Sequence, residues 1–210
     1  MTLAEASAIA EDAISIRTPS AVAAHALAAR LRATGVFDEV TPGLDSVGVL
    51  FDPLRLDAGA ARRLLADAAQ AIETADWPDN EVIELRARYG GDDGPDLDRL
   101  AAAANLSPDA FIELHTKRIH RVEMIGFMPG FAYLSGLDPA LEAPRLKTPR
   151  PRLPAGSIGV SGAFTGLYAI ASPGGWPIIG RIDETLFDPD ADNPFRLAPG
   201  DRVRFLRAPC

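Results

Sequence analysis

Apolar residues in the first ninety positions follow helical and strand spacings in alternation. A helix is predicted after Asp57, a candidate N-cap, because one face collects apolar residues at intervals of three and four. These residues are Ala61, Leu64, Leu65, Ala68, Ala69 and Ile72. An earlier helix is predicted from Ala23, Leu27 and Leu31, and Gly35 is expected to end it.

Strands are predicted on either side of these helices. Apolar residues alternate with polar ones at 47–51 and 83–89, and short β-prone runs occupy 13–17 and 37–40. The resulting order is β-α-β-β-α-β, which is the ferredoxin-like pattern. We therefore expect a ferredoxin-like α/β domain over residues 1–88 of an α+β protein.

The rest of the chain is rich in glycine and proline. Residues 126–210 hold 11 of the 18 glycines. Two short helices are expected at 96–104 and from Ser107-Pro108, the second carrying His115 near its end. Short β-prone runs follow at 119–125, 157–160, 167–171 and 203–206. Strands of this length separated by turns favour a closed barrel or a sandwich over residues 89–210.

Composition and charge exclude several classes of function. The chain has a net charge of −8, which disfavours binding to nucleic acid. No apolar stretch approaches the roughly 18 residues that a membrane-spanning helix needs. The one cysteine, Cys210, cannot form an internal disulfide or a thiolate metal cage. These features favour a reduced, cytoplasmic protein with no membrane segment.

A basic segment interrupts the acidic chain. Four cations lie within eight residues and prolines keep the segment extended: Arg145, Lys147, Arg150 and Arg152. Guanidinium groups bind carboxylates and phosphates through paired hydrogen bonds, so this segment is a candidate anion site. A solvated loop that balances acids elsewhere explains the same residues equally well.

Candidate acid–base chemistry is limited to three histidines. His115 is the best proton carrier, because the reference pKa of imidazole lies near neutrality. His115 and His120 lack the carboxylate spacing of a metal pair, and we predict no metal. No Walker loop and no nucleophile elbow occur. The glycine loop after Tyr89 is either a domain linker or a substrate-binding loop.

Several short motifs occur in one order along the second half. They are Tyr89-Gly-Gly, Gly-Pro-Asp-Leu at 94–97, Leu114-His-Thr, Gly126-Phe-Met-Pro-Gly-Phe, Thr148-Pro-Arg, Pro154-Ala-Gly-Ser and Ser172-Pro-Gly-Gly-Trp. Together they resemble the carboxyltransferase C/D-subdomain family. Its members include the B subunit of 5-oxoprolinase, allophanate hydrolase subunit 1, the sporulation kinase inhibitor of bacilli and a segment of urea carboxylase.

The resemblance implies a fold, an activity and partners. It implies a cyclophilin-like β-barrel and a partner subunit with a related carboxyltransferase A/B-type barrel. In oxoprolinase members these two act with a third, sugar-hydrolase-like subunit to open 5-oxoproline to glutamate using ATP. The ATP site of such a complex need not lie on this chain. We assign catalysis to His115, and substrate binding to Tyr89, Arg145, Lys147, Arg150, Arg152, Phe164 and Thr165.

The sequence also departs from the family pattern. Phe164 stands where a glutamine is expected, Ser135 where glycine is expected and Ala171 where glutamate is expected. An aromatic ring in place of an amide changes the shape and polarity of the substrate pocket. The sequence therefore does not decide which substrate is bound. The alternatives are an allophanate hydrolase or a urea carboxylase-type component, and a binding module that inhibits a kinase.

Overall fold

The computed structural model describes residues 6–70 and 76–209 of the chain. These residues fall into two compact units, which divide after Pro78. Ile72, which we included in the second predicted helix, and Cys210 lie outside the described residues.

The first unit is an antiparallel sheet packed against two helices. Its elements are β1 (Ser7–Ala8), β2 (Ala13–Arg17), α1 (Ala21–Thr34), β3 (Glu39–Pro42), β4 (Ser46–Leu50) and α2 (Ala58–Gln70). The strand order is β1-β2-β4-β3. The hydroxyl of Ser20 accepts a hydrogen bond from the Ala23 amide at the start of α1, and Gly35 ends that helix with a φ of 64°. The buried core of this unit includes Leu27, Val47 and Leu65.

The second unit is built around a closed barrel. Its elements begin with β5 (Val82–Tyr89), α3 (Leu97–Ala103), α4 (Pro108–Lys117), β6 (His120–Ile125), β7 (Ala132–Ser135) and a 3₁₀ turn (Pro139–Leu141). They continue with β8 (Arg150–Leu153), β9 (Ser157–Ser161), β10 (Phe164–Leu167), β11 (Ser172–Gly174), β12 (Ile178–Ile182) and β13 (Arg202–Arg207).

Seven strands close the barrel in the order β10-β7-β6-β13-β5-β12-β9. Strands β8 and β11 form a separate two-stranded ribbon. All barrel pairs are antiparallel except β13 with β5, which is parallel. The interior is filled by aliphatic side chains and Phe205, so the barrel is a packed core. The prediction of a barrel is confirmed.

The ferredoxin-like prediction assigned one strand to the wrong unit. β5 pairs with β12 and β13 inside the barrel, and its Leu85 and Ala87 are fully buried in the barrel core. The first unit therefore has no fourth strand from this segment, and β1 borders β2 instead. Alternation of apolar and polar residues identifies a strand, but it does not identify the partner strands, and here those lie far along the chain.

One smaller feature also differs from the prediction. The strand expected at 167–171 ends at Leu167 and begins earlier, at Phe164. No helix of the described ranges is long and apolar enough to cross a membrane.

Candidate functional site

His115 lies in the last turn of α4 and is fully buried in the second unit. Its Nδ1 is 2.8 Å from the Tyr89 hydroxyl and its Nε2 is 3.1 Å from Oγ1 of Thr165. Helix α4 begins at Pro108 with Ser107 as N-cap, while Tyr89 ends β5 and Thr165 lies on β10. Three of the predicted site residues are thus brought together in one hydrogen-bonded chain, which we call the imidazole chain.

The imidazole chain has a neutral histidine at its centre. Burial, followed by the charge of His120, lowers the pKa of His115 well below its usual value. The reference pKa that suggested His115 as a proton carrier belongs to a hydrated imidazole, whereas this ring is buried. A neutral ring has one donor and one acceptor nitrogen, and the two hydroxyls can each take either role. The chain is satisfied in both tautomers.

Aromatic rings enclose the imidazole. The rings of Phe205 and His120 lie with their centroids 4.8 Å from that of His115. His120 Nε2 is 3.1 Å from the carbonyl oxygen of His115 and donates to it. Tyr89 is the half-buried member of the chain, and burial raises the pKa of its hydroxyl. Thr165 is fully buried, as His115 is, so Tyr89 is the one member of the chain that is partly exposed.

Arg150 is bound to a carboxylate of its own unit. Its Nη1 and Nη2 donate to the two Asp96 oxygens at 2.7 and 3.0 Å. Asp96 is 5% exposed and also accepts from the backbone amide of Ile178. These contacts hold the pKa of Asp96 below its usual range despite the opposing effect of its desolvation. The pair joins the ribbon to the loop before α3, so Arg150 has a structural partner.

The other three cations of the basic segment are exposed. Arg145, Lys147 and Arg152 make no ion pair with any residue in the described ranges. The guanidinium of Arg145 lies beside Gly175, where an added Cβ would be 3.3 Å from Nη2 and 3.5 Å from Nε. The Leu146 amide donates to the Gly175 carbonyl at 2.7 Å, which fixes this approach.

An aromatic cluster covers the outer face of the barrel next to this point. Its members are Phe127, Phe131, Tyr133, Tyr168 and Trp176. Phe131 is the hub, with centroid distances of 4.8 Å to Tyr133 and Tyr168 and 5.8 Å to Trp176. All of these pairs are edge-to-face, an arrangement that aromatic quadrupoles favour.

The cluster needs a glycine beneath it. A Cβ at Gly166 would lie 2.7 Å from the Trp176 ring and 2.8 Å from Phe131. Residues alternate along β10, so Thr165 faces the interior while Phe164 and Gly166 face outward. Phe164 is half-buried opposite Ser161. Sequence reasoning missed the cluster, whose one local signal was glycine alternating with larger residues on β9 and β10.

A cavity of about 330 Å³ lies elsewhere in the second unit and contains none of the predicted site residues. It is lined by Ala169, Ala171, Glu184, Phe187 and their neighbours. Within residues 6–70 and 76–209, no group of histidine, cysteine and acidic side chains could hold a metal ion.

Comparison with known proteins identifies the relatives of this chain. Residues 2–197 match the family model described as carboxyltransferase domain, subdomain C and D. The B subunit of the 5-oxoprolinase of Escherichia coli O157:H7 is 41% identical over 171 residues, which are 80% of this chain and 77% of that protein.

Two solved structures extend the comparison. The structure of TTHA0988 superposes with a TM-score of 0.78 at 38% identity and covers 94% of this chain, which spans 40% of that chain. The urea carboxylase of Kluyveromyces lactis superposes with a TM-score of 0.81 at 18% identity over 97% of this chain and 22% of that chain. The second likeness shows the fold alone.

Proposed function

This chain belongs to the carboxyltransferase subdomain C and D family, and from that premise we propose that it is a subunit of an ATP-dependent 5-oxoprolinase. The complex would open 5-oxoproline to glutamate together with a partner barrel subunit of the A/B type, joined by a sugar-hydrolase-like subunit. The observation that carries the proposal is the extended identity to the B subunit of a 5-oxoprolinase.

The chemistry explains why ATP and cations are needed. A lactam carbonyl is a weak electrophile, and transfer of the γ-phosphoryl group of ATP to its oxygen makes the carbon reactive toward water. Water then adds to that carbon, and the ring C–N bond breaks with protonation of nitrogen, which leaves an acyl phosphate. A second water hydrolyses the acyl phosphate to the carboxylate and inorganic phosphate. Cations stabilise the charge on phosphate and carboxylate along this path. Arg145, Lys147 and Arg152 are exposed and available for that purpose, whereas Arg150 is held by Asp96.

The imidazole chain has a positioning role in this proposal. Both nitrogens of His115 are engaged, so the ring orients the hydroxyls of Tyr89 and Thr165 and passes a proton between them by changing tautomer. Tyr89 is half-buried, so it is the member of the chain that lies nearest the surface. ATP is assigned to the assembled complex and not to a particular residue of this chain.

The test is co-expression of the chain with the products of neighbouring genes and an assay of ATP-dependent glutamate release from 5-oxoproline. Turnover that requires both ATP and this chain would support the proposal. A complex that assembles and shows no glutamate release would contradict it.

A second candidate is an allophanate hydrolase or urea carboxylase-type component. Phe164 favours it, because an aromatic ring replaces the amide expected next to Thr165. Assay of the same complex with urea and with allophanate separates the two candidates. Replacement of Phe164 with glutamine should then raise activity toward 5-oxoproline if the aromatic ring restricts the pocket.

A further inference from the structure

The aromatic cluster and Arg145 meet at one place on the outer face of the barrel. We propose that they form a binding site for a small carboxylate with a flat ring, the carboxylate on Arg145 and the ring against Tyr133 and Trp176. The assignment of this ligand to 5-oxoproline rests on the proposed function. The site lies on the outer wall of β7, β9 and β10, not around the buried imidazole.

Arg145 supplies the charge. It is exposed, has no acidic partner among the residues that the structure describes, and lies against Gly175, the residue before Trp176. Burial raises the pKa values of Tyr133 and Tyr168, and the positive charge of Arg145 acts on both in the opposite direction. The guanidinium is therefore close to the cluster and free to bind an anion.

The walls of the site are flat and partly open. Tyr133 and Trp176 are both half-buried, with ring centroids 5.7 Å apart and planes at 74°. Two rings at this angle form a corner that accepts a compact planar group. The Tyr133 hydroxyl makes no hydrogen bond to another described residue, so it can bind a carbonyl oxygen of the ligand.

Phe127 adds an unusual feature at the edge. It has a φ of 71°, a conformation that bulky residues rarely adopt, and its side chain is 68% exposed. The ring contacts Phe131 edge-to-face at 5.6 Å. Holding an exposed aromatic ring in a strained backbone conformation lowers stability, and such strain is concentrated at binding sites.

The ligand class follows from these groups together. An arginine fork binds carboxylate or phosphate, but a hydrated phosphate ion gains little from an aromatic corner. A lactam acid offers a carboxylate, a flat ring and a carbonyl oxygen to the three kinds of group present. The same groups would be poorly used by a cation.

The test uses the emission of Trp176. The chain has two tryptophans, and a Trp77→Phe background leaves Trp176 as the reporter. Titration of the full chain with 5-oxoproline should give a saturable change in emission. The analogue 2-pyrrolidinone, which lacks the carboxylate, should bind about tenfold or more weakly, as expected for loss of a charge-assisted hydrogen bond.

Arg145→Met should lower the affinity for 5-oxoproline to that for 2-pyrrolidinone, so that the two ligands bind equally well. Arg196→Met is the matched control, since Arg196 is also exposed and without an ion pair in the described part of the second unit. Its affinity for both ligands should be unchanged.

Three results of the titrations would overturn the site. They are no saturable change with 5-oxoproline, an unchanged preference for the carboxylate in Arg145→Met, and competition by inorganic phosphate as effective as that by 5-oxoproline. If Arg145→Met instead prevents assembly with the partner subunit and leaves 5-oxoproline binding intact, the face is a subunit interface and the site is wrong. Each result is independent of glutamate release by the wild-type complex, so the proposed function can stand or fail separately.

Discussion

The two faces of β10 differ in how completely their polar groups are used. Inside the barrel, Thr165 joins His115 and Tyr89 in a chain whose buried hydrogen-bonding groups are all engaged. Outside, Gly166 supports the aromatic cluster, beside which Arg145 and the Tyr133 hydroxyl have no partner among the described residues. A buried polar group without a hydrogen-bond partner destabilises the fold, whereas an exposed one is hydrated and can exchange water for a ligand. The inner face should therefore govern stability and the outer face binding.

The largest effect is expected from His115→Ala. This change opens a cavity in the core and leaves the Thr165 hydroxyl buried without its partner, so the free energy of unfolding should fall by about 3 kcal/mol. Urea denaturation followed by circular dichroism measures it. Lys117→Ala, on the exposed side of the same helical turn, should change stability by less than about 0.5 kcal/mol. Equal losses of stability in the two variants would show that the buried imidazole chain does not govern stability.

The basic segment, residues 145–152, contains both a cation with a buried partner and a cation without one among the described residues, so the two kinds of group can be compared there. Arg150→Met leaves the buried Asp96 carboxylate without its main partner and should lower the free energy of unfolding by about 2 kcal/mol. Arg145→Met should cost less than about 0.5 kcal/mol, because no ion pair is lost. Thermal denaturation of both variants decides this, and a large loss in Arg145→Met would show that Arg145 is structural.

Stability should also depend on pH in a defined window. Burial lowers the pKa values of His115 and His120 in the folded protein, so below a pH of about 6.5 the unfolded chain binds more protons. Stability from this source is complete above about pH 6.5 and is lost as the pH falls toward the folded pKa values. Each histidine contributes up to about 1.4 kcal/mol per pH unit. Urea denaturation at pH 7.5, 6.5 and 5.5 should show it.

His115→Gln should reduce the dependence of the free energy of unfolding on pH, because one of the two buried histidines is removed. Lys117→Ala should leave the slope unchanged. A pH dependence in His115→Gln equal to that of the wild type would mean that His115 is protonated, or hydrated, in the folded protein.

The smallest effect on stability is expected on the outer face. Phe127→Asn places a residue that tolerates positive φ at an exposed position, so relief of strain offsets the lost ring contact to within about 0.5 kcal/mol. Binding of 5-oxoproline, measured by Trp176 emission, should nevertheless weaken severalfold. A stable variant with unchanged affinity would exclude Phe127 from the site.

Local patterns in the sequence predicted most individual elements. Strand β2 occupies the predicted residues 13–17, and Ser107-Pro108 begins α4 as expected. Such features depend on neighbours within a few positions. The assignment of 83–89 to the first domain was wrong because the partners of β5 lie more than ninety residues later along the chain.

Prediction of the site also succeeded where the signal was local and failed where it depended on residues distant in sequence. Tyr89, His115 and Thr165 were among the eight predicted site residues, and the structure joins these three. Charge and residue type could not separate Arg150 from Arg145, since the difference is made by Asp96, a residue distant in sequence. The aromatic cluster was missed for a similar reason, because its members come together only when β7, β10 and the loop before β12 meet on one wall.

The parallel pairing of β13 with β5 has a consequence for synthesis of the protein. β13 lies between β5 and β6, although both of these are translated long before it. Until residues 202–207 leave the ribosome, the nascent barrel is an open sheet whose two free edges flank the missing strand. A chain truncated before Arg202 should therefore be prone to aggregation, and its capture by chaperones during translation should end only when this strand is inserted.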